Sequence, residues 1–167
     1  MVDENCNVAI IETTSEGARF FRHRFIALDG LIFTNLSPEH IESHGSLENY
    51  FRAKLSIGTA LADSQKRPRS IIARNDDTRG AAFLALPVEQ QIPFSLADVV
   101  DVHTSAGGVS FLYRDTLFAL ALPGEFNVLN ALAAIKTAEA LGIPLTTCAK
   151  ALCELSSIKG RVERIEA

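Results

Sequence analysis

Short apolar runs that alternate with helix-like segments are the feature that most constrains the fold of this chain. The runs "NVAIIET", "GLIFTNL" and "RSIIARNDD" are rich in β-branched and other apolar residues. Continuous apolar runs without alternation are typical of strands in a parallel sheet that is covered on both faces. Between the first two runs, "SEGARFFRHRFIAL" places Ala18, Phe21 and Phe25 at helical spacing. The pattern therefore predicts strand, helix, strand, which is an α/β architecture.

A second helix is predicted over residues 46–62, after the second apolar run. Ser46 and Asn49 lie three residues apart, the spacing of a capping box, although Asn is a weaker partner than Glu or Gln. The apolar residues of this segment predict its buried face: Leu47, Tyr50, Phe51, Leu55 and Ile57. Residues 70–74 then predict another buried strand, which runs into a polar turn at residues 75–78.

The middle of the chain changes character. The segment "GGVSFLYRDTLFALALPG" predicts two strands around a turn at Arg114 and Asp115, so we expect a small antiparallel element within residues 81–122. Residues 125–141 predict a long helix that ends at Gly142 and Pro144, and "LTTCAKALCELSS" predicts another helix after it. The predicted fold is therefore a mostly parallel sheet flanked by helices, with this antiparallel element added.

Composition narrows the class of protein. The 167 residues are 47% hydrophobic and 22% charged, which is typical of one globular domain. A net charge of -4, with scattered Lys and Arg, argues against a nucleic-acid partner. No apolar stretch reaches the roughly 18 residues that a membrane helix needs, and no signal segment is visible, so a cytoplasmic location is predicted. Three cysteines without a C-x-x-C pattern predict buried free thiols: Cys6, Cys148 and Cys153.

Polar side chains follow the first two predicted strands. Glu12 ends the first strand, and residues 35–40 follow the second; because the carboxyl ends of parallel strands share one edge, we expect them to meet there. The segment "EHIESH" does not match a zinc-protease motif, because Ile41 stands where that motif needs Glu. One carboxylate and one imidazole, from Glu12 and His40, instead suit Mg²⁺ that keeps most of its waters. His44 is expected to be a surface or capping residue.

Two further features bear on nucleotide chemistry. Lys54 lies on the predicted helix among apolar neighbours, a pattern that on its own is typical of a lysine reaching out to solvent. No segment matches G-x-x-x-x-G-K-[ST], the loop that holds nucleotide phosphates; "SAGGVS" has no lysine and precedes a strand. We therefore do not expect this chain to cradle a triphosphate by itself.

Several segments together resemble a known family. The segments "IETTSEGARFFRHRF", "GLIFTNLSPEHIESHGSLENYFRAKLSIG", "RNDD", "LPGEFNVLNALAAIKTAEALGI" and "GRVERI" are similar, in order and spacing, to the central domain of the Mur ligases. Within that family they look most like UDP-N-acetylmuramoyl-tripeptide synthetases, which add the third amino acid to the peptidoglycan stem peptide. This resemblance implies a P-loop-NTPase-like fold, here without its first strand and phosphate loop.

The resemblance also implies roles for individual residues. Glu12 and His40 match the family residues that hold Mg²⁺ between the ATP γ-phosphate and the substrate carboxylate, and Lys54 matches a carbamylated lysine that helps to place a second Mg²⁺. Four residues match positions at the nucleotide-sugar peptide: Thr14, Ser15, Arg22 and Asn35. Three match positions that approach ATP: Asn127, Asn130 and Arg161. Departures occur at Thr13, Thr14 and Glu16, so the substrate rim is expected to differ in detail.

The implied reaction is ATP-dependent. The substrate carboxylate forms an acyl-phosphate, an amino acid then attacks it and phosphate leaves; the product serves cell-wall biogenesis, cell shape and cell division. We expect residues 1–160 to form an amino-terminally truncated central domain and residues 161–167 to begin a linker to a further domain. The partners implied are UDP-N-acetylmuramoyl peptide, ATP and the missing amino- and carboxy-terminal ligase domains, so we expect the chain alone to be inactive. Two alternatives stay open: a non-catalytic nucleotide-sugar-binding remnant, or a ligase similar to folylpolyglutamate or cyanophycin synthetases.

Overall fold

Two three-stranded sheets organise the chain. The computed structural model describes residues 5–37 and 41–155. The parallel sheet consists of β1 (Gly30–Phe33), β2 (Ser70–Arg74) and β3 (Gln90–Phe94), in the order β1-β2-β3. The antiparallel sheet consists of β4 (Val100–Ser105), β5 (Gly108–Tyr113) and β6 (Thr116–Leu120), in the order β4-β5-β6. The predicted combination of a parallel sheet with an antiparallel element is confirmed.

Six α-helices of the described ranges accompany these sheets. They are α1 (Ser15–Arg19), α2 (Ile41–His44), α3 (Leu47–Ala62), α4 (Thr78–Leu84), α5 (Phe126–Ala140) and α6 (Leu145–Cys153). A single 3₁₀ turn at Leu96–Asp98 connects β3 to β4. None of the helices in these ranges has the length and apolar character needed to cross a bilayer.

The central strand β2 is covered on both faces. Successive strand residues point to opposite faces of a sheet. Ile71 and Ala73 accordingly belong to a core cluster with residues of α3 and α4, whereas Ile72 belongs to a second cluster with α5, α6 and the antiparallel sheet. Ile71 and Ala73 are fully buried, and Ile72 is 2% exposed. This burial explains why the sequence of β2 is continuously apolar.

Local signals explain several helix and strand boundaries. The Ser46 side chain accepts a hydrogen bond from the backbone N–H of Asn49 and so caps α3, as predicted, but the Asn49 side chain donates to the carbonyl of His44 instead of completing a capping box. The turn between β5 and β6 holds Arg114 and Asp115, as predicted, with φ of 45° and 60°. Gly142, with φ of 77°, follows α5 at the predicted end.

Two predictions about the first 30 residues are wrong. Residues 7–13 ("NVAIIET") form no strand; Val8, Ile10 and Ile11 are 55%, 85% and 51% exposed, because no neighbouring strand in the described chain pairs with them. The first predicted helix is also too long, since α1 ends at Arg19. Phe21 and Phe25 therefore do not form a buried face; both are exposed and both have positive φ.

The predicted bounds of the antiparallel element are too wide. Most of α4 and the whole of β3 fall within residues 81–122, yet they belong to the parallel layer, and only residues 100–120 form the antiparallel sheet. The prediction for the cysteines is also partly wrong. Cys148 is buried as expected, whereas Cys6 and Cys153 are exposed; all three are free thiols.

Candidate functional site

The carboxyl ends of the parallel strands form one rim, and two of the predicted site residues meet there. Asn35 lies two residues beyond β1, and Lys54 lies in the second turn of α3. The ammonium group of Lys54 donates a hydrogen bond to the backbone oxygen of Asn35 over 3.3 Å. The same nitrogen lies 5.2 Å from the centre of the Tyr50 ring. Lys54 is half-buried and held at this rim, so it does not simply extend into solvent.

Ser15, a predicted substrate-binding residue, contacts His44, which was not predicted to belong to the site. His44 Nε2 lies 3.0 Å from Ser15 Oγ, in a buried hydrogen bond that joins α1 to α2. The imidazole also packs against the Tyr50 ring, with 5.2 Å between ring centres. The prediction that His44 is a surface or capping residue is therefore wrong: it is 9% exposed, because α1 and Tyr50 cover it.

The segment before α1 carries two more predicted residues. Thr14 is exposed and caps α1, since its hydroxyl oxygen accepts a hydrogen bond from the backbone N–H of Gly17 over 3.0 Å. Glu12 is exposed, and its carboxylate has no hydrogen bond or ion pair within residues 5–37 and 41–155. Arg22 is exposed beyond the end of α1. Glu12 and Arg22 are therefore open to a ligand, whereas the hydroxyl of Ser15 is already engaged.

Paired charges surround this rim. Glu48, in the first turn of α3, accepts hydrogen bonds from Arg79 of α4 and from Arg52, and these bonds lower the pKa of Glu48. Asp76 follows β2 and accepts hydrogen bonds from two guanidinium nitrogens of Arg74, Nε and Nη2, at 2.8 and 2.9 Å, and these bonds lower the pKa of Asp76. These carboxylates are therefore already paired with arginines.

The two predicted asparagines lie at the start of α5 and differ in exposure. Asn127 is 7% exposed; its amide donates to the carbonyl of Pro123 over 2.9 Å, and its oxygen accepts from the amide of Asn130 over 3.2 Å. Asn130 is exposed. The last turn of α5 and the first residues of β3 line one groove, so the end of the helix lies beside the start of the strand. The first turn of α5 therefore lies toward the rim at the carboxyl ends of the strands. The buried Asn127 side chain ties the start of α5 to the Pro123 carbonyl, whereas the exposed Asn130 side chain is accessible to a ligand.

Two predicted site residues, His40 and Arg161, lie outside the described residues. Among the residues that the structure describes, no group of three or more His, Cys, Asp or Glu side chains could hold a metal ion. The Glu12 carboxylate and the Asn35 carbonyl are oxygen donors of the kind that Mg²⁺ prefers, whereas the Lys54 ammonium group carries no oxygen and repels a cation, so Lys54 could take part only as an oxygen-bearing anion. A carbamylated Lys54 would meet that condition.

Sequence reasoning missed the contacts that bind α1 to the following helices. Besides His44, Arg19 donates from its guanidinium to the carbonyl of Ser43 over 2.5 Å. An open groove of about 660 Å³ lies beside these contacts and is bordered by Phe21 and Arg52. Ser15 and His44 are 29 residues apart, so no local sequence pattern could have paired them.

Fold and site together define an α/β domain whose polar groups gather at the carboxyl edge of a parallel sheet, where such sheets bind ligands. The sequence profile of one family, described as "Mur ligase middle domain", matches residues 1–138. Because this match covers most of the chain, the protein belongs to the Mur ligase family.

Two relatives illustrate the match in sequence. A UDP-N-acetylmuramyl-tripeptide synthetase of Roseiflexus sp. (strain RS-1) is 36% identical over 186 aligned residues, which cover 100% of this chain and 36% of that protein. A UDP-N-acetylmuramoyl-L-alanyl-D-glutamate--2,6-diaminopimelate ligase of Clostridium botulinum is 31% identical, over 98% of this chain and 34% of that protein. The chain thus spans about one-third of the length of these relatives.

Solved structures show the same fold. A UDP-N-acetylmuramoyl-L-alanyl-D-glutamate--2,6-diaminopimelate ligase superposes with a TM-score of 0.78 at 23% identity, over 99% of this chain and 36% of that one. MurF from Acinetobacter baumannii superposes with a TM-score of 0.75 at 23% identity, over 88% of this chain and 33% of that one. A pseudomurein peptide ligase type C from Methanothermus fervidus gives 0.66 at 18% identity, over 92% of this chain and 39% of that one.

Proposed function

We propose that this chain is the central part of an ATP-dependent ligase that adds the third amino acid to UDP-N-acetylmuramoyl dipeptide in peptidoglycan synthesis. The observation that carries the proposal is the contact of Lys54 with Asn35 at the carboxyl end of β1. The contact supports the proposal because a lysine that matches the family motif lies at the rim where α/β sheets bind ligands. The names of the relatives, which are tripeptide synthetases and diaminopimelate ligases, support the choice of substrate.

Lys54 is the residue that prepares the site for metal. Its neutral amine forms an N–C bond with carbon dioxide and releases one proton to solvent, and the product is a carbamate, an anion on a long side chain. Together with Glu12, and with His40 by its place in the motif, it would hold Mg²⁺. Bound Mg²⁺ supplies charge neutralisation between phosphate and carboxylate, which is the main requirement of phosphoryl transfer. Without that conversion the Lys54 ammonium would oppose metal binding.

The remaining residues bind and orient substrates. Arg22 offers a planar guanidinium fork to a carboxylate of the muramoyl peptide. Thr14 and Asn35 would contact the muramoyl peptide, and the buried Ser15, bonded to His44, would hold their segment in place. Asn130, and Arg161 by its place in the motif, would contact ATP, while Asn127 holds the start of α5. The substrate carboxylate attacks the γ-phosphate and ADP leaves; the amine of the incoming amino acid then attacks the acyl carbon and phosphate leaves. No protein nucleophile takes part.

The chain contributes one part of this reaction. Residues 1–160 would form the central domain, and residues 161–167 would start the connection to the next domain. The phosphate loop and the domains for the uridine nucleotide and the amino acid would come from other parts of the ligase, and the reaction would take place in the cytoplasm. We therefore expect no turnover from these 167 residues alone.

A chimeric enzyme tests this function. The aligned third of the Roseiflexus synthetase is replaced by this chain, and ADP release is measured with ATP, Mg²⁺, UDP-muramoyl dipeptide and either diaminopimelate or lysine. We expect release that requires both the dipeptide and one amino acid, and that disappears in Lys54→Ala and Lys54→Arg, since neither replacement can carry a carbamate. Arg52→Lys is the control, because it exchanges one exposed cationic side chain for another on the same helix, two residues before Lys54. It should leave ADP release intact.

Other outcomes would contradict the proposal. A folded chimera without turnover, beside an active parent enzyme, would favour a non-catalytic remnant, particularly if this chain still binds UDP-muramoyl dipeptide in calorimetry. Turnover with glutamate-tailed folate in place of the muramoyl peptide would favour a ligase of the folylpolyglutamate type.

A further inference from the structure

A buried hydrogen bond joins the start of α1, directly after Glu12 and Thr14, to the last residue of α2, just before the helix that carries Lys54. The bond joins His44 Nε2 to Ser15 Oγ over 3.0 Å, and the two residues are 9% and 5% exposed. Ser15 directly follows Thr14, and His44 lies two residues before Ser46, the cap of α3. We propose that His44 is a positioning residue, whose bond to Ser15 sets where residues 12–14 lie relative to Lys54. The functional part of this inference rests on the proposed function.

His44 is itself fixed from two sides. The Asn49 amide donates to the His44 carbonyl over 3.1 Å, and the Tyr50 ring lies against the imidazole. Both partners belong to the first turn of α3, so the imidazole is part of the same rigid unit as Lys54. A hydrogen bond to that unit therefore leaves the Ser15 hydroxyl little freedom of position.

Helix α1 depends on such contacts for its position. It has five residues, and a helix this short is not stable through its own hydrogen bonds. Its links to the following helices include the His44–Ser15 bond, the Arg19–Ser43 bond and the packing of α1 against α3. The His44–Ser15 bond lies at the amino-terminal end of α1, next to Thr14, and so it acts directly on the segment that leads to Glu12.

The bond can be removed without emptying the space. His44→Phe keeps an aromatic ring against Tyr50 but leaves the Ser15 hydroxyl without its partner. His44→Gln is the conservative variant, because its side-chain amide can reach Ser15 from nearly the same place as Nε2. Ile57→Val is the matched control, since it removes one methylene from the buried face of α3 and leaves the bond intact.

Amide hydrogen exchange in the 167-residue chain measures the positioning directly. We expect His44→Phe to speed exchange of the α1 amides, such as those of Ala18 and Phe20, by about tenfold or more, because local opening becomes easier. His44→Gln should stay near the wild-type rate, and the amides of α5 should not change. Unchanged exchange in α1 of His44→Phe would overturn the proposal, whatever the metal data show.

Electron paramagnetic resonance of Mn²⁺ in bicarbonate buffer measures how strongly each variant binds the metal, and so whether the position of residues 12–14 affects the metal site. We expect His44→Phe to weaken Mn²⁺ binding about tenfold, the lower end of what outer partners of metal sites contribute, and His44→Gln to restore it. Equal weakening in Ile57→Val, or wild-type affinity in His44→Phe, would show a merely structural bond and overturn the positioning role.

The two proposals fail in different ways. A wild-type chain that does not bind Mn²⁺ counts against the metal site of the proposed function and removes the functional part of this inference. The exchange experiment does not depend on metal, so faster α1 exchange in His44→Phe beside normal Mn²⁺ binding counts against the positioning role alone.

Discussion

A Cβ atom on Gly80 would overlap the backbone carbonyl oxygen of Arg74, because the first turn of α4 passes directly over the carboxyl end of β2. Asp77 caps α4 at this point by accepting a hydrogen bond from the backbone N–H of Arg79 over 2.9 Å. Arg79 in turn reaches Glu48 at the start of α3. The close crossing at Gly80 thus fixes the amino ends of α3 and α4 at the same rim.

Gly80→Ala should destabilise the fold through this crossing. The backbone of α4 would have to move away from β2, and overpacking of this kind costs about 1–3 kcal/mol or more. Gly30→Ala is the control, since a Cβ there would lie 3.5 Å from its nearest neighbour, an ordinary contact. Urea unfolding of both variants measures the difference; equal stabilities would show that α4 does not approach β2 this closely.

Helices and strands with a strong local sequence pattern could be predicted, whereas those that depend on pairing or packing with distant residues could not. β2 and α5 carry continuous apolar or Ala-rich sequence, and both lie where the sequence predicts them. β3 was missed because it reads "QQIPF". Within residues 5–37 and 41–155 it pairs with β2 alone, and a strand with one free edge tolerates two glutamines and Pro93, which would be costly in a central strand. Residues 7–13 show the reverse case, an apolar run for which the described chain holds no pairing strand.

The site was predictable to a similar extent. That Asn35 follows a strand and that Lys54 lies on the helix predicted over residues 46–62 can be read from the sequence, and the structure joins the two residues by a hydrogen bond. The partner of Ser15 could not be predicted, because His44 is brought to it by the packing of α1 on α3. The different exposure of Asn127 and Asn130 likewise depends on the turn at Pro123, which no motif specifies.

The pair of Arg69 and Glu89 should make stability depend on pH. Glu89 receives hydrogen bonds from the guanidinium and the backbone N–H of Arg69, and these lower the pKa of Glu89 from 4.5 to about 2. Because the pKa is lower in the folded state, the stabilisation is present above pH 4.5 and is lost as the pH falls toward 2. The free energy of unfolding should therefore fall over this range.

Glu89→Gln tests that dependence. The variant should be less stable than wild type at about pH 7, and the difference between the two should shrink as the pH falls from 4.5 toward 2, measured by urea unfolding. Glu42→Gln, a change at an exposed carboxylate, is the control, and its free energy of unfolding should stay close to that of wild type over the whole pH range. A Glu89→Gln difference that does not vary with pH would contradict the assignment.

Substitutions of Asn127 and Asn130 should have different effects, the first on the free energy of unfolding and the second on nucleotide binding. Asn127→Ala leaves the partly buried Pro123 carbonyl without its donor and should cost about 1–3 kcal/mol of unfolding free energy. Asn130→Ala, at an exposed position, should cost about 0.5 kcal/mol or less. In the chimeric synthetase, Asn130→Ala should raise KM for ATP roughly tenfold, equivalent to about 1.4 kcal/mol of lost binding. An unchanged KM would remove Asn130 from the ATP site.

Asp115→Gly should stabilise the hairpin of β5 and β6. Arg114 and Asp115 form its two-residue turn with positive φ, a conformation in which glycine avoids the steric cost that other residues bear. The Arg114 side chain remains available for its 2.7 Å ion pair with Glu139. We expect a gain of about 0.5–1 kcal/mol for Asp115→Gly and a loss of similar size for Asp115→Ala, because alanine tolerates positive φ less well than aspartate. Thermal unfolding followed by circular dichroism measures both, and a stabilising Asp115→Ala would show that the turn does not hold these angles.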